Sequence, residues 1–213
     1  MRSRFQLLCF LVFSTVFFVS CSDDDSNDGD SGEPIAVETF SNLHAPQQGG
    51  RGTPISGAFT KFSFATGDIT QSETDWDIAF RGTRIAVNGG VETGTDDEPT
   101  RTGNAAIALV RSTFEGVTEA PEASLFLQDS ANGFALTPLS DQGWYNYDGS
   151  QNLVTPLAGR VLVIRTHDGK YAKMEILSYY KDAPSQPDPS TDEERYYTFR
   201  YVYQADGSLS FVN

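Results

Sequence analysis

The chain has few of the side chains that carry thiol, imidazole or thioether chemistry. Its two cysteines, Cys9 and Cys21, both lie within the first 21 of 213 residues, and it has only two methionines. Its two histidines, His44 and His167, are too far apart in sequence to form a metal-spacing motif. After Cys21 the chain therefore offers no disulfide, no zinc–thiolate site and no cysteine nucleophile.

Basic residues are scarce as well. The sequence contains 15 Lys and Arg against 29 Asp and Glu, which gives a formal net charge of −14. Nucleic acids and anionic membrane surfaces are both recognised through basic faces, so neither is an expected partner. We interpret the acidic excess as a solubilising surface outside the cell rather than as a functional patch.

Recognisable catalytic motifs are lacking. No G-x-S-x-G elbow is present, and the glycines around Gly49 lack the lysine of a phosphate-binding loop. Asp75 and Asp77 flank Trp76 and would share one strand face, where a carboxylate pair could hydrolyse a glycoside if a cleft held it. Solvated carboxylates are the alternative interpretation, and we expect a protein that is not an enzyme.

The first 34 residues have the pattern of a secreted, lipid-anchored protein. Basic residues precede an apolar run over 5–19, which is too short to span a membrane as a helix. The F-V-S-C sequence that ends at Cys21 then resembles a bacterial lipobox, so we predict a signal peptide over 1–20 and lipidation of the cysteine. Residues 21–34 are polar and acidic and are predicted to form a disordered tether.

The stretch from Arg160 to Tyr180 has the clearest structural pattern. Two runs of alternating apolar residues flank an H-D-G sequence centred on Asp168, and an Asp-Gly pair in that position is typical of a β-hairpin. The alternation predicts that one face of each arm packs on a core. A second alternation, from Tyr197 to Tyr203, predicts another strand whose odd-numbered aromatic residues share a face.

Shorter runs predict the remaining elements. Strands are expected at 35–41, 59–64, 75–81, 85–88, 104–110, 134–136, 143–147 and 208–211, with Trp76, Ile78 and Phe80 on one face of the third. Residues 121–129 could hold one or two helical turns, and the polar segment 91–103 is expected to be a mobile loop. The sequence thus predicts an all-β fold, a single and mostly antiparallel β domain over 35–213 with at most one or two short helices.

Aromatic residues are concentrated beside two loops. Trp144, Tyr145 and Tyr147 precede one loop, and Tyr180 and Tyr196 flank another. Such clusters either line an apolar cleft for a flat ligand or pair across neighbouring strands. The sequence leaves both interpretations open.

Several of these stretches together resemble the HmuY family of haem-binding surface lipoproteins from Bacteroidetes. The resemblance covers about residues 35–213 and rests on FSFATG at 62–67, DWDIAF at 75–80, VNGG at 87–90, GWYNY at 143–147, and the stretches 160–180 and 197–207. It implies an all-β fold with projecting loops that grip one haem, without catalysis. It also implies haem capture outside the cell and delivery to a TonB-dependent outer-membrane receptor.

The resemblance also implies that two axial side chains, His or Met, hold the iron from projecting loops. The loops that we place at 144–159 and 181–195 contain neither residue type. The candidate ligands are Met174, His167, Tyr145 and Tyr147, and the candidate pocket aromatics are Trp144, Tyr180 and Tyr196. Met174 could equally be a core residue, and His167 could equally be an exposed turn residue.

Two functions therefore stay open. One is a haem-binding lipoprotein whose partners are haem, haem-carrying proteins and a TonB-dependent receptor. The other is a surface module that contacts proteins or glycans on the same scaffold without haem. The acidic residues after Cys21 resemble a surface-export signal, so we expect an outer-membrane lipoprotein on the extracellular side, held to the membrane by lipid alone.

Overall fold

Short strands separated by turn residues make up most of the fold. The computed structural model describes residues 35–50 and 52–212, so the predicted signal peptide, Cys21 and the tether lie outside the described residues. The strands are β1 (Glu38–His44), β2 (Gln48–Gly50), β3 (Thr53–Ser56), β4 (Thr60–Ser63), β5 (Asp68–Thr70), β6 (Ile78–Arg81), β7 (Arg84–Val87), β8 (Ala106–Arg111), β9 (Tyr145–Asp148), β10 (Leu153–Pro156), β11 (Arg160–Arg165), β12 (Tyr171–Tyr180) and β13 (Glu194–Gln204).

Two sheets form the body of the domain. The large sheet has the order β1-β13-β12-β11-β8 and the small sheet has the order β5-β4-β6-β7, while β9–β10 and β2–β3 form two-stranded ribbons. Every strand pair in these sheets is antiparallel. The only helical element of the described residues is a 3-10 turn, Ala123–Leu125. The predicted all-β, mostly antiparallel fold is confirmed.

The predicted hairpin is formed by β11 and β12. Leu162 pairs with Met174 and Arg165 pairs with Tyr171, which leaves residues 166–170 as the connecting loop. Gly169 has a φ of +88°, a conformation that glycine adopts without a Cβ penalty. The local signal in the sequence therefore located both arms and the turn correctly.

The main core lies between the two sheets. Leu162, Ile164 and Met174 of the large sheet pack with Phe62 and Phe80 of the small sheet, and all are buried. Each fully buried large apolar side chain contributes about 1.5–3 kcal/mol relative to its exposed state. The predicted aromatic face of β13 is confirmed, since its odd-numbered residues from 197 to 201 are core residues and Tyr203 packs against them.

The outer face of the large sheet is also buried, which the sequence did not predict. Val161 and Val163 of β11 pack in a second cluster with Val202, Phe114 and Phe211. The segments that carry Phe114 and Phe211 cover the sheet, so β11 is apolar on both faces rather than on one. This explains why β11 has a continuous apolar run.

Trp76 does not share a face with Ile78 and Phe80, contrary to the prediction. The strand begins only at Ile78, and the period-two rule does not apply to the residue two positions before it. Trp76 is buried instead in a third cluster on the outer side of the small sheet, where it packs with Phe59 and Ala79.

Other predicted boundaries were wrong in smaller ways. The first strand begins at Glu38 and continues to His44, whereas 134–136 and 208–211 contain no strand. Ser210 forms only an isolated bridge with Glu119, because the chain there lies over the sheet instead of extending it. Strand β10 was not predicted, because Pro156 is unfavourable in a strand. In the structure Pro156 lies at the end of a two-stranded ribbon, where proline is tolerated.

Within the described part of the chain, no helix has the length and apolar character needed to cross a bilayer.

Candidate functional site

The β9–β10 ribbon stands on the body of the domain through two long-range hydrogen bonds. The indole Nε1 of Trp144 donates to the carbonyl oxygen of Thr83 over 3.0 Å. The backbone N–H of Val154 donates to the Tyr180 hydroxyl over 3.1 Å. Trp144 and Tyr180 are therefore buried supports of the ribbon, which fixes its position relative to both sheets.

An open cleft of about 360 Å³ lies between this ribbon and the body. We call it the tyrosine cleft, because Tyr145, Tyr147 and Tyr179 line it. Its charged wall residues are Arg84, Glu194 and Arg195. Volumes of this size are within the range of small-ligand sites. Half of the twelve lining residues are polar or charged, so the tyrosines share the walls with hydrogen-bonding groups.

The three tyrosines differ in how freely their hydroxyls can reach a ligand. The Tyr145 hydroxyl donates to the Pro138 carbonyl over 2.6 Å, and its ring is buried. Tyr179 is also buried, and burial raises the pKa of its phenol, so the phenolate form is disfavoured. Tyr147 is 44% exposed, and its hydroxyl lies 3.0 Å from Asn152 Oδ1. Tyr147 is therefore the accessible phenol of the tyrosine cleft.

The predicted pocket aromatics separate into two groups. Trp144 lies behind the cleft, with its ring centroid 4.9 Å from that of Tyr145 and 5.7 Å from that of Tyr179. Tyr180 belongs to the same buried layer. Tyr196 lies outside the cleft lining and stacks on its cross-strand partner His44, with 4.5 Å between ring centroids. Both interpretations of the aromatic residues thus apply, because some line a cleft and others pair across strands.

The two arginines of the tyrosine cleft differ in how many polar partners they have. Arg195 has a φ of +72°, an uncommon conformation for a residue with a side chain, and its guanidinium is fully engaged. Its Nη1 donates to the Gln47 carbonyl over 2.9 Å, and its Nη2 pairs with Glu194 over 2.8 Å. Arg84 has one polar contact, 3.4 Å from its Nη1 to the side-chain oxygen of Gln47.

A second open cleft, of about 380 Å³, shares Arg84 and Pro138 with the tyrosine cleft. Its other walls include Thr93 and Thr95 from the 91–101 loop and Phe134. Arg84 therefore lies on the wall between the tyrosine cleft and a second space whose lining mixes threonines with apolar residues.

The two other predicted ligands lie away from both clefts. Met174 is fully buried in the main core, as its core interpretation expected. His167 is not the exposed turn residue that the sequence suggested, because its side chain is only 20% exposed and its Nδ1 lies 2.8 Å from Asp77 Oδ1. A carboxylate only accepts hydrogen bonds, so Nδ1 of His167 is the donor to Asp77. Histidine side chains that bind metals are commonly held in this way.

Asp75 and Asp77 do not form the carboxylate pair considered above. Asp77 is buried and accepts hydrogen bonds from the backbone N–H groups of Phe64 and His167, whereas Asp75 is exposed. The two carboxylates therefore have different surroundings and do not face one cleft. Within residues 35–50 and 52–212, no three His, Cys, Asp or Glu side chains come together as a metal site would require.

Sequence reasoning found Tyr145 and Tyr147 but did not single out Arg84 or Arg195. The tyrosines could be found because aromatic residues beside a loop stand out in composition. Arg84 follows a two-residue turn and begins a short strand, a position with no local signal. The one available hint was a cationic residue directly before a short apolar run in a strongly acidic chain.

A comparison with sequence models of protein families gives a match over most of the chain. The sequence model of the family described as HmuY protein matches residues 57–201. No curated protein matches the chain.

Three solved structures are similar at low identity. An apo HmuY analogue from Tannerella forsythia is 16% identical with a TM-score of 0.48, over 82% of this chain and 98% of that chain. A protein described as HmuY-like and haem-binding from Bacteroides vulgatus ATCC 8482 is 14% identical with a TM-score of 0.44, over 78% and 90%. A protein described as a lipoprotein from Bacteroides fragilis NCTC 9343 is 17% identical with a TM-score of 0.42, over 68% and 83%.

Proposed function

The chain belongs to the HmuY family, and from this membership we propose that it binds haem or a related porphyrin in the tyrosine cleft. The observation that carries the proposal is the cleft itself, a space with aromatic walls beside an accessible phenol. In this proposal the chain binds its ligand without catalysis, as its family membership implies.

The residues present fit haem in part. The tyrosine walls suit a flat conjugated ring, and Arg84, which has no carboxylate partner, suits an acidic group of that ring. The cleft lining contains no His or Met, so the axial pair implied by the resemblance does not fit this site. Haem, when bound, would supply a ferric iron that a phenol oxygen can ligate. Tyr147 is the residue that we assign to this contact, because Tyr145 and Tyr179 are buried.

The biological role that we propose is haem uptake at the cell surface. Cys21 would carry the lipid anchor, and the acidic residues after it would direct the protein to the outer face of the outer membrane. The bound haem would pass to a TonB-dependent receptor. These steps rest on the N-terminal sequence and on family membership.

An absorption titration of the purified protein with haem tests the proposal. We expect saturation at one haem per chain, with a shifted Soret band and a phenolate-to-iron charge-transfer band. Replacing Tyr147 with Phe removes the hydroxyl but keeps the ring, so the charge-transfer band should disappear and affinity should fall by about tenfold or more.

The matched control is Met174→Leu, a volume-conserving change in the core that should leave the spectrum unchanged. If the wild-type protein gives no Soret change at micromolar haem, haem binding is wrong and the surface module without haem becomes the better interpretation. If Tyr147→Phe keeps the wild-type spectrum, the iron contact lies elsewhere, with His167 as the next residue to replace.

A further inference from the structure

Arg84 is a half-buried guanidinium without an anionic partner. Its one polar contact is the 3.4 Å approach to Gln47 Oε1, which is long for a hydrogen bond. Among residues 35–50 and 52–212, no carboxylate lies within ion-pairing distance of it. Arg101 shows the contrasting case, because its guanidinium pairs with both Glu98 and Asp129.

The positive charges near Arg84 favour the binding of an anion to it. Arg81, three residues earlier and fully buried, has a lowered pKa, first because of its burial and then because of the nearby Arg84 charge. The carboxylates of residues 96–98 act in the opposite direction on Arg81 and only partly offset these effects. Arg195, the other cation of the tyrosine cleft, is already neutralised by Glu194. The cleft therefore keeps one uncompensated positive charge, in a chain whose net charge is −14.

Arg84 lies beside the aromatic residues of the tyrosine cleft. It lies on the wall shared by the tyrosine cleft and the second cleft. A ligand whose ring system rests against Tyr145 and Tyr147 can extend an acidic group to Arg84 without leaving the cleft. Arg presents a planar fork that matches the two oxygens of a carboxylate, whereas an ester offers only neutral acceptors.

We propose that Arg84 recognises a free carboxylate of the ligand, so that the tyrosine cleft selects conjugated ring compounds that are acids over the same compounds as esters. This inference rests on the proposed function, in which a porphyrin occupies the tyrosine cleft. It adds the chemical class of the ligand and a specificity-determining residue. Tyr147 and Arg84 then have separate roles, one toward the iron and one toward the edge of the ring.

The test compares haem with its dimethyl ester, which has the same ring and iron but no free carboxylate. Both are titrated in the same detergent-containing buffer into the wild-type protein and into Arg84→Gln, Arg84→Lys and Arg111→Gln. Arg111 is exposed and lines neither cleft, so Arg111→Gln removes the same charge from a different place.

We expect the wild-type protein and Arg111→Gln to bind the diacid about tenfold more tightly than the diester. Arg84→Gln should lose that preference by weakening diacid binding alone, and Arg84→Lys should keep part of it. The wild-type comparison requires no substitution, so it stays decisive even if a variant fails to fold. Equal binding of diacid and diester by the wild-type protein, or an unchanged preference in Arg84→Gln, overturns the role of Arg84 while haem binding stands. Binding of neither compound overturns the proposed function and this inference together.

Discussion

Asp77 links the two sheets through hydrogen bonds to its buried side chain. It lies just before β6 of the small sheet, and its Oδ1 accepts hydrogen bonds from the backbone N–H and the Nδ1 of His167, in the turn between β11 and β12. Its Oδ2 accepts from the backbone N–H of Phe64 over 2.8 Å. One buried carboxylate thus satisfies three donors from two different parts of the fold.

Replacing Asp77 with Ala should lower the free energy of unfolding by about 3 kcal/mol, because buried donors lose their acceptor. Urea denaturation at neutral pH measures the change. The control is Asp75→Ala, at an exposed residue two positions away, which should stay within about 0.5 kcal/mol of the wild-type value. Equal effects of the two substitutions would contradict the joining role of Asp77.

At the scale of single residues, the sequence predicted the candidate site residues whose type stands out in composition. It did not predict those whose role depends on contacts with residues far away in the sequence. Tyr145 and Tyr147 stood out because they lie beside a loop. The anchoring of His167 could not be predicted, because its partner Asp77 is 90 residues away in sequence. Arg84 was missed for the same reason, since the role that we propose for it depends on the lack of a carboxylate near it in space.

The 91–101 loop shows how an element without regular structure is held in place. It is part of the segment 91–103 that was expected to be a mobile loop, yet Glu98 accepts hydrogen bonds from the backbone N–H groups of Thr93 and Thr95 over 3.0 and 2.9 Å. Arg101 then joins Glu98 to Asp129, and all three of these charged side chains are almost fully buried. Because Thr93 and Thr95 line the second cleft, this network fixes one wall of it.

The stability of this loop should depend on pH through Glu98. Burial alone would raise the pKa of Glu98, but the hydrogen bonds from Thr93 and Thr95 outweigh it and lower the pKa to about 2. The folded-state pKa is thus below the unfolded value, so the contribution is present above about pH 4.5 and is lost as the pH falls towards 2. It amounts to about 3 kcal/mol at neutral pH.

Urea unfolding between pH 2 and 7 tests this dependence. Glu98→Gln should be less stable than the wild-type protein at neutral pH, and the difference should shrink as the pH falls. The control is Glu92→Gln, an exposed residue of the same loop, which should follow the wild-type curve. A constant difference between Glu98→Gln and wild type across this range would show that Glu98 does not act through its charge.

Elements could be predicted where their signal was local. The β11–β12 hairpin was located because alternation and an Asp-Gly turn lie within one stretch. Strand β10 was missed because its pairing with β9 outweighs the unfavourable Pro156, and the ordering of the 91–101 loop was missed because Asp129 lies outside it.

At the scale of the whole molecule, the domain is a sandwich of two covered sheets, and the proposed binding site lies beside its projecting ribbon. Both sheets are buried on their inner faces and partly on their outer faces, so their apolar residues are committed to packing. The fold class could be predicted from sequence, since alternation and frequent glycines favour an antiparallel β domain. The cleft could not, because it lies between segments far apart in sequence.

Membrane attachment is predicted to depend on a single cysteine. Replacing Cys21 with Ala should abolish incorporation of labelled palmitate and move the protein from the membrane fraction to the soluble fraction of cells. Cys9→Ala removes the other cysteine of the chain and should change neither result. Labelling that survives Cys21→Ala would place the anchor elsewhere.

Hydrogen–deuterium exchange of the protein with and without haem tests most directly whether the tyrosine cleft is the binding site. We predict that haem slows exchange in residues 138–157, which contain the β9–β10 ribbon, and leaves the His167 turn at 166–170 unchanged. Protection of 166–170 with no change in the ribbon would contradict binding in the tyrosine cleft.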